Sequence, residues 1–184
     1  RRQRQMCIRD RGHGWRFLDI GRRLERAFLT LKLIKNLFKE KSADEKQILT
    51  SFLEVCDGSL TYFRRYGAKL HAAPVIDLLL CDESNPHSVA YQASMMEKTI
   101  NELPQATDKV FFSQLDKEVL KLVSQLRLVD VYNLTKCDDN KRETLVKYCD
   151  ARIKEIENID ELLNREYLIH IRQKGVKSAM ATEV

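Results

Sequence analysis

Apolar side chains recur along this chain in steps of three and four, and the pattern restarts several times. Between Trp15 and Phe38, the residues Phe17, Ile20, Leu24, Ala27, Leu31, Ile34 and Phe38 line one side of a helix. Leu18, Gly21 and Phe28 widen that side and Glu25 falls among them, while Arg22 and Arg26 occupy the more solvated flank. Ser42-Ala43-Asp44-Glu45 has the form of a capping box, in which hydroxyl and carboxylate satisfy two free backbone donors. It predicts a second helix through Leu49, Phe52, Cys56, Leu60 and Phe63, ended by Gly67 as a left-handed stop. Pro74 suits a first helical turn, so Pro74 to Asp82 reads as a short, very apolar helix. Asn85-Pro86 predicts a further start with Asn85 as N-cap, followed by Val89, Ala93, Met96, Ile100 and Leu103, with Pro104 at the end. Leu115, Val119, Leu122, Leu126 and Val129 predict a fifth helix. A sixth begins near Asp138 and runs to about Gln173, with a break expected around Asn158 to Asp160. No strand-like alternation competes. One-sided seams must bury against one another, so the fold class is all-α, a bundle of about five to six helices.

Composition agrees with long helices: 184 residues hold only 6 glycines and 3 prolines. An apolar fraction of 43% with 32% charged residues is that of an ordinary globular domain. The net charge of +5 invites a nucleic-acid reading, but Arg1, Arg2, Arg4, Arg9 and Arg11 against Asp10 place +4 of it in the first eleven residues. The remainder has no bulk electrostatic reason to bind phosphate backbones, so no nucleic acid is expected as a partner. That opening segment lacks helical periodicity, and residues 1–11 are expected to be non-native or disordered. Residues 12–173 then form one domain and 174–184 a frayed tail. No apolar run is long enough to cross a bilayer; the longest, Val75 to Cys81, already contains Asp77. Cys7, Cys56, Cys81, Cys137 and Cys149 show no metal-binding or redox spacing, which suggests reduced thiols and a cytoplasmic protein.

Two stretches are denser in charge than packing requires. The first runs from Gly14 to Ala27. There Gly21 interrupts a helix, Arg22 and Glu25 are spaced to pair on one face, and Arg23 and Arg26 add further cations. A surface salt-bridge ladder accounts for most of this, but a carboxylate at the edge of an apolar seam, as Glu25 is expected to be, needs a partner. The second stretch runs from Tyr62 to Pro86. Arg64 and Arg65 close a helix, where cations offset its dipole. Asp77 lies between Ile76 and Leu78 and requires a counter-charge, for which Arg64 and Arg65 are the candidates. Asp82 precedes Asn85 in the following loop. The phosphate-loop, nucleophile-elbow and zinc-protease signatures are absent, and His13, His71, His87 and His170 fall singly, so no metal or cofactor is expected.

At these two stretches the chain resembles the alpha-E domain family, uncharacterised helical domains of bacteria and archaea. The resemblance is carried by Gly14-Trp15-Arg16-Phe17-Leu18-Asp19-Ile20-Gly21-Arg22-Arg23-Leu24-Glu25-Arg26-Ala27. It continues through Ser59 to Tyr66, Ala73 to Leu80 and Asp82 to Ser88, and thins to helical pattern beyond Pro104. Family members are longer and carry an upstream helix of the same GRxxERA type, which implies that this chain is an N-terminally truncated fragment. The family accompanies circularly permuted ATP-grasp ligases and transglutaminase-like proteins. The resemblance therefore implies such a protein as partner, a peptide or amino acid as substrate, and Arg22, Arg23, Glu25, Arg26, Arg64, Arg65, Asp77, Asp82 and Asn85 as the polar cluster that binds it. Three functions are compatible with this. The domain is an accessory binding module, a stand-alone enzyme of amide or acyl chemistry, or a structural bundle whose charges only hold it together.

Overall fold

The computed structural model describes residues 13–103 and 112–168 of the chain. Among them are eight α-helices and no strand. They are α1 (His13–Phe38), α2 (Glu45–Val55), α3 (Ser59–Tyr66), α4 (Ala72–Leu80), α5 (Val89–Asn101), α6 (Gln114–Arg127), α7 (Val131–Leu134) and α8 (Glu143–Leu163). A π-helical turn, Asn164–Leu168, extends α8. The expectations for residues 1–11, Pro104 and the tail from 174 lie outside the described residues.

The seam predicted on α1 is the one that is buried: Ile20, Leu24, Ala27, Leu31, Ile34 and Phe38 all enter the core. α1 packs on α5 and on α8, and both of these pack on α6, closing a ring of four long helices. The apolar peg α4 plugs one end. Its Val75, Ile76, Leu78, Leu79 and Leu80 are fully buried, and it touches α1, α2, α3, α5 and α7. At roughly 25 cal/mol per Å² of apolar surface, such a run is among the strongest local contributions to the fold.

The chain departs from the expected helix count in two places. The expected second helix is two helices, because Asp57 adopts a left-handed conformation with φ of 48°. The Gly58 amide then bonds the Leu53 carbonyl at 2.8 Å and the Asp57 amide that of Glu54 at 3.1 Å, the double closure of a Schellman end. Gly58, the next residue, packs against the core: a Cβ there would make van der Waals contact with Leu53 Cδ2 at 3.4 Å and Leu78 Cδ2 at 3.6 Å. The second departure is α7, a single turn capped by Asp130, whose carboxylate accepts the Asn133 amide. Three starts and stops also differ. Ser42 accepts only the Asp44 amide, and no reciprocal capping box forms. α5 is capped by Ser88 rather than Asn85, with the Ser88 Oγ accepting the Tyr91 amide at 3.0 Å. α8 runs unbroken through Asn158 to Asp160, held by buried Ile156, Ile159, Leu162 and Leu163. Gly67, with φ of 80°, ends α3 as expected.

Arg142, at the foot of α8, ties three elements together. Its guanidinium is 3% exposed and donates to the Phe38 carbonyl at 3.2 Å, to the Thr135 carbonyl at 3.2 Å, and to the Glu45 carboxylate. Beside it a tight turn with Asp139 and Asn140 both left-handed presents its backbone to the end of α1, with Lys41 N to Asn140 O at 2.7 Å.

Candidate functional site

α1 splits its charged residues between two environments. Arg23 faces α5. Its Nε meets the Asp19 carboxylate at 2.7 Å, one turn back, and its Nη1 donates to Gln92 Oε1 at 3.4 Å. The Thr99 hydroxyl donates to the same Asp19 oxygen at 3.3 Å. Gln92 is buried, and its amide nitrogen donates onward to the Pro86 carbonyl. A polar line therefore runs from α1 through α5 to the loop before α5. Arg22, Glu25 and Arg26 point the other way. All three are exposed and carry no hydrogen bond or ion pair among the described residues. The expected Arg22–Glu25 pair is not formed, and Glu25 is not at the edge of the buried seam. Successive residues on a helix turn by about 100°, which carries Glu25 away from Ile20, Leu24 and Ala27.

The loop from Asp82 to Ser88 is held from every side. Arg65 of α3 donates to Asp82 Oδ2 at 2.6 Å and to Ser84 Oγ at 3.3 Å. The amide and hydroxyl of Ser84 close on Asp82 Oδ1 at 2.9 and 2.7 Å. Arg127 of α6 grips both oxygens of Glu83, which also accepts the Ser94 hydroxyl at 3.0 Å. Asn85 is buried: its amide nitrogen donates to the Leu78 carbonyl at 2.9 Å, and its Oδ1 accepts the His87 amide at 3.1 Å. Asn85 thus satisfies a carbonyl at the end of α4 instead of starting α5. Asp77 takes its hydrogen bond from the Tyr66 hydroxyl at 2.6 Å, and among the described residues the expected ion pair with Arg64 or Arg65 is not formed. Burial, with the Asp77 carboxylate beside it, pushes the Tyr66 phenol up to about 12.

Arg64 is exposed and has no hydrogen-bond or ion-pair partner among the described residues, and with Leu60, Thr61 and Arg65 it lines an open groove of about 370 Å³. The structure thus joins Arg65 to Asp82 directly, and Arg23 to the Asn85 loop through Gln92. Arg22, Glu25 and Arg26 stay on the outer side of α1, and Arg64 on the α3 groove. Asp19, Gln92, Arg127 and Tyr66 belong to the network but were not singled out from the sequence. Only the Asp19–Arg23 spacing of four offered a signal there. Among the described residues no three His, Cys, Asp or Glu side chains converge as metal ligands. Burial, reinforced by Asp77, pushes the Cys81 thiol up to about 12, so it is not a thiolate nucleophile at neutral pH.

Two loop carboxyls make the network pH-sensitive. Burial works to raise Asp82, but the hydroxyl and amide of Ser84 and the Arg65 guanidinium outweigh it and hold its pKa below the ordinary value. The hydrogen bond from Arg127 holds Glu83 down in the same way. A carboxyl depressed in the folded state binds protons more readily once unfolded. Its stabilisation is complete above the unfolded value, near pH 4, and is lost as pH falls through the folded one. Acid titration of unfolding free energy is therefore expected to show a shallower decline below about pH 4 in Asp82→Asn/Glu83→Gln than in the parent. An identical decline in both would remove these two groups as the cause.

These observations define an all-helical domain with a four-helix core, a bonded polar loop and a set of unpaired charges facing solvent. The chain belongs to the Alpha-E family, described as a predicted alpha-helical domain with a conserved ER motif, whose model matches residues 8–168. Glu25-Arg26 is the only Glu-Arg dipeptide in the sequence and so the one able to supply that motif. Uncharacterized proteins of Mycobacterium bovis and of two strains of Mycobacterium tuberculosis are each 33% identical over 93 residues, which is 50% of this chain. The match spans 10% of the length of those relatives. No solved structure matches the chain. No helix among the described residues is long and apolar enough to cross a membrane.

Proposed function

We propose that this domain is an accessory binding module of an ATP-grasp-linked system that forms peptide or amide bonds, working in the cytoplasm. One observation carries the reading. The charged residues of the two family-like stretches do not meet in one concave site. Those that meet are bonded to one another, and those left over face open solvent. Catalysis needs a nucleophile or base held against its partner and aimed into a pocket, whereas docking needs unpaired charge beside exposed apolar surface. The α3 groove has the second character. Arg64 is unpaired there among the described residues, with Leu60 83% exposed and Phe63 45% exposed on the same short helix. A guanidinium beside apolar side chains suits a carboxylate-bearing peptide or an acidic surface of the partner protein. The association with ATP-grasp ligases and transglutaminase-like proteins rests on the family resemblance.

The parent protein is expected to co-purify with an ATP-grasp ligase, and to lose it on Arg64→Ala or Leu60→Asp. Both positions are exposed, so the fold survives either change. Retention of the partner by both variants, or turnover of a peptide substrate by the parent protein alone, would overturn the reading. The structural-bundle reading is favoured by the bonding of Arg23, Arg65, Asp77, Asp82 and Asn85. It leaves Arg22, Glu25, Arg26 and Arg64 without a role.

A further inference from the structure

α1 carries a second stripe on the side opposite its buried seam. Trp15, Leu18, Leu29, Leu33 and Leu37 are 46%, 51%, 50%, 39% and 37% exposed. With Arg22 and Glu25 they follow one another in steps of three and four, so they share one face of a helix about 39 Å long. Isolated exposed leucines need no explanation, but a stripe of this length at helical spacing has the pattern of a helix-pairing seam. At its centre Arg22, Glu25 and Arg26 are unpaired among the described residues.

The order of residues along the stripe points to the partner helix. An antiparallel copy of α1 crossing at a two-fold axis between residues 23 and 24 sets Arg22 against Glu25 of the second copy, and Glu25 against its Arg22. The same register sets Leu18 against Leu29 and brings Trp15 beside Leu33, each contact occurring twice, as an isologous interface requires. Gly21 falls opposite Arg26. A Cβ at Gly21 would find nothing within 4 Å, so this edge is open and leaves room for a guanidinium. A parallel pair would instead stack Arg22 on Arg22 and Glu25 on Glu25, which is repulsive. We propose that the outer face of α1 is a homodimer interface in which two copies pack their first helices antiparallel, locked by reciprocal Arg22–Glu25 ion pairs between apolar ends. The proposal is independent of the α3 groove and of any ligase partner.

Sedimentation equilibrium of this chain tests it, since the monomer is 21.5 kDa. Up to about 100 µM, a range that captures micromolar affinity, the parent chain is expected to form a dimer. Leu29→Asp should leave a monomer with unchanged helical circular dichroism, since the side chain is half exposed. Arg22→Glu and Glu25→Arg should each weaken the dimer about tenfold, because each turns two attractive contacts repulsive. Arg22→Glu/Glu25→Arg together should restore it, the diagnostic of reciprocal pairing. A monomeric parent chain would overturn the proposal. So would a dimer indifferent to Leu29→Asp, or a double swap that stays as weak as its single members.

Discussion

Arg142→Ala is expected to lower the stability of the fold by about 3 kcal/mol, because a buried guanidinium that serves three acceptors is removed. For a chain of this size that corresponds to a melting temperature lower by roughly 6–12 °C. The size of the effect follows from what one guanidinium does. Its Nη1 takes the Phe38 carbonyl, one of the last of α1, which has no helical donor of its own. Its Nε takes the Thr135 carbonyl just after α7, and its Nη2 holds Glu45 in the first turn of α2. Alanine leaves two carbonyls facing an emptied polar site and a carboxylate without its cation. Arg142→Lys keeps the charge but cannot reach three acceptors in fixed directions, so it should recover only part of the loss. Urea unfolding of the three proteins provides the comparison. A loss below about 1 kcal/mol in Arg142→Ala would mean that water replaces all three bonds and that the clamp is incidental.

The same residue explains one limit of reading this fold from its sequence. Ser42 and Glu45 have the spacing of a capping box, yet Glu45 is drawn to Arg142, 97 positions away, and the local motif is left half made. The true capping box is Ser113 with Asp116, where both reciprocal bonds form at 3.1 and 2.8 Å. A shorter acid in the third position hides it from the usual pattern. Helical periodicity found the inner face of α1 and the apolar peg α4 correctly, because burial dictates spacing. It did not find the corner at Asp57. That residue occupies the left-handed region usually given to glycine, while the actual glycine one place on has an ordinary helical backbone with φ of −101°. The polar residues were less legible still. Asp77 was visibly in need of a partner, but a nearby arginine and a nearby tyrosine satisfy a carboxylate equally well, and only the packing of α3 on α4 selects Tyr66. Glu25 was misplaced because a broad apolar stripe, widened by exposed Leu18, made the core appear to extend around the helix. Those outward leucines belong to a second face, which a single-seam reading merges with the first.

Glu155→Ala is expected to cost about 3 kcal/mol, whereas Arg152→Met/Glu155→Leu should return to within about 1 kcal/mol of the parent. The two residues, 7% and 8% exposed, lie where α8 packs on α6. Arg152 Nη2 donates to Glu155 Oε1 at 2.9 Å, and Nε lies 2.6 Å from Oε2 as an ion contact outside hydrogen-bond alignment. Lys121 of α6 reaches Oε1 at 3.1 Å, and the Tyr148 ring stacks under the guanidinium with 4.8 Å between Cζ and the ring centroid. Removing the carboxylate alone strands the Arg152 cation in a site that water barely reaches. Lys121 is half exposed and can turn to solvent, so the loss falls on Arg152. Removing both charges and filling the space with unbranched and branched apolar side chains eliminates the desolvation cost together with the attraction that offset it. Guanidinium-induced unfolding of parent, single and double variants separates the possibilities. If the double variant stays as unstable as Glu155→Ala, the pair holds the α6–α8 register through its geometry, and its charge is not a mere substitute for apolar packing. If it recovers, the pair is replaceable, and the charges of this domain that remain to be explained by function are the unpaired ones on the outside of α1 and on α3.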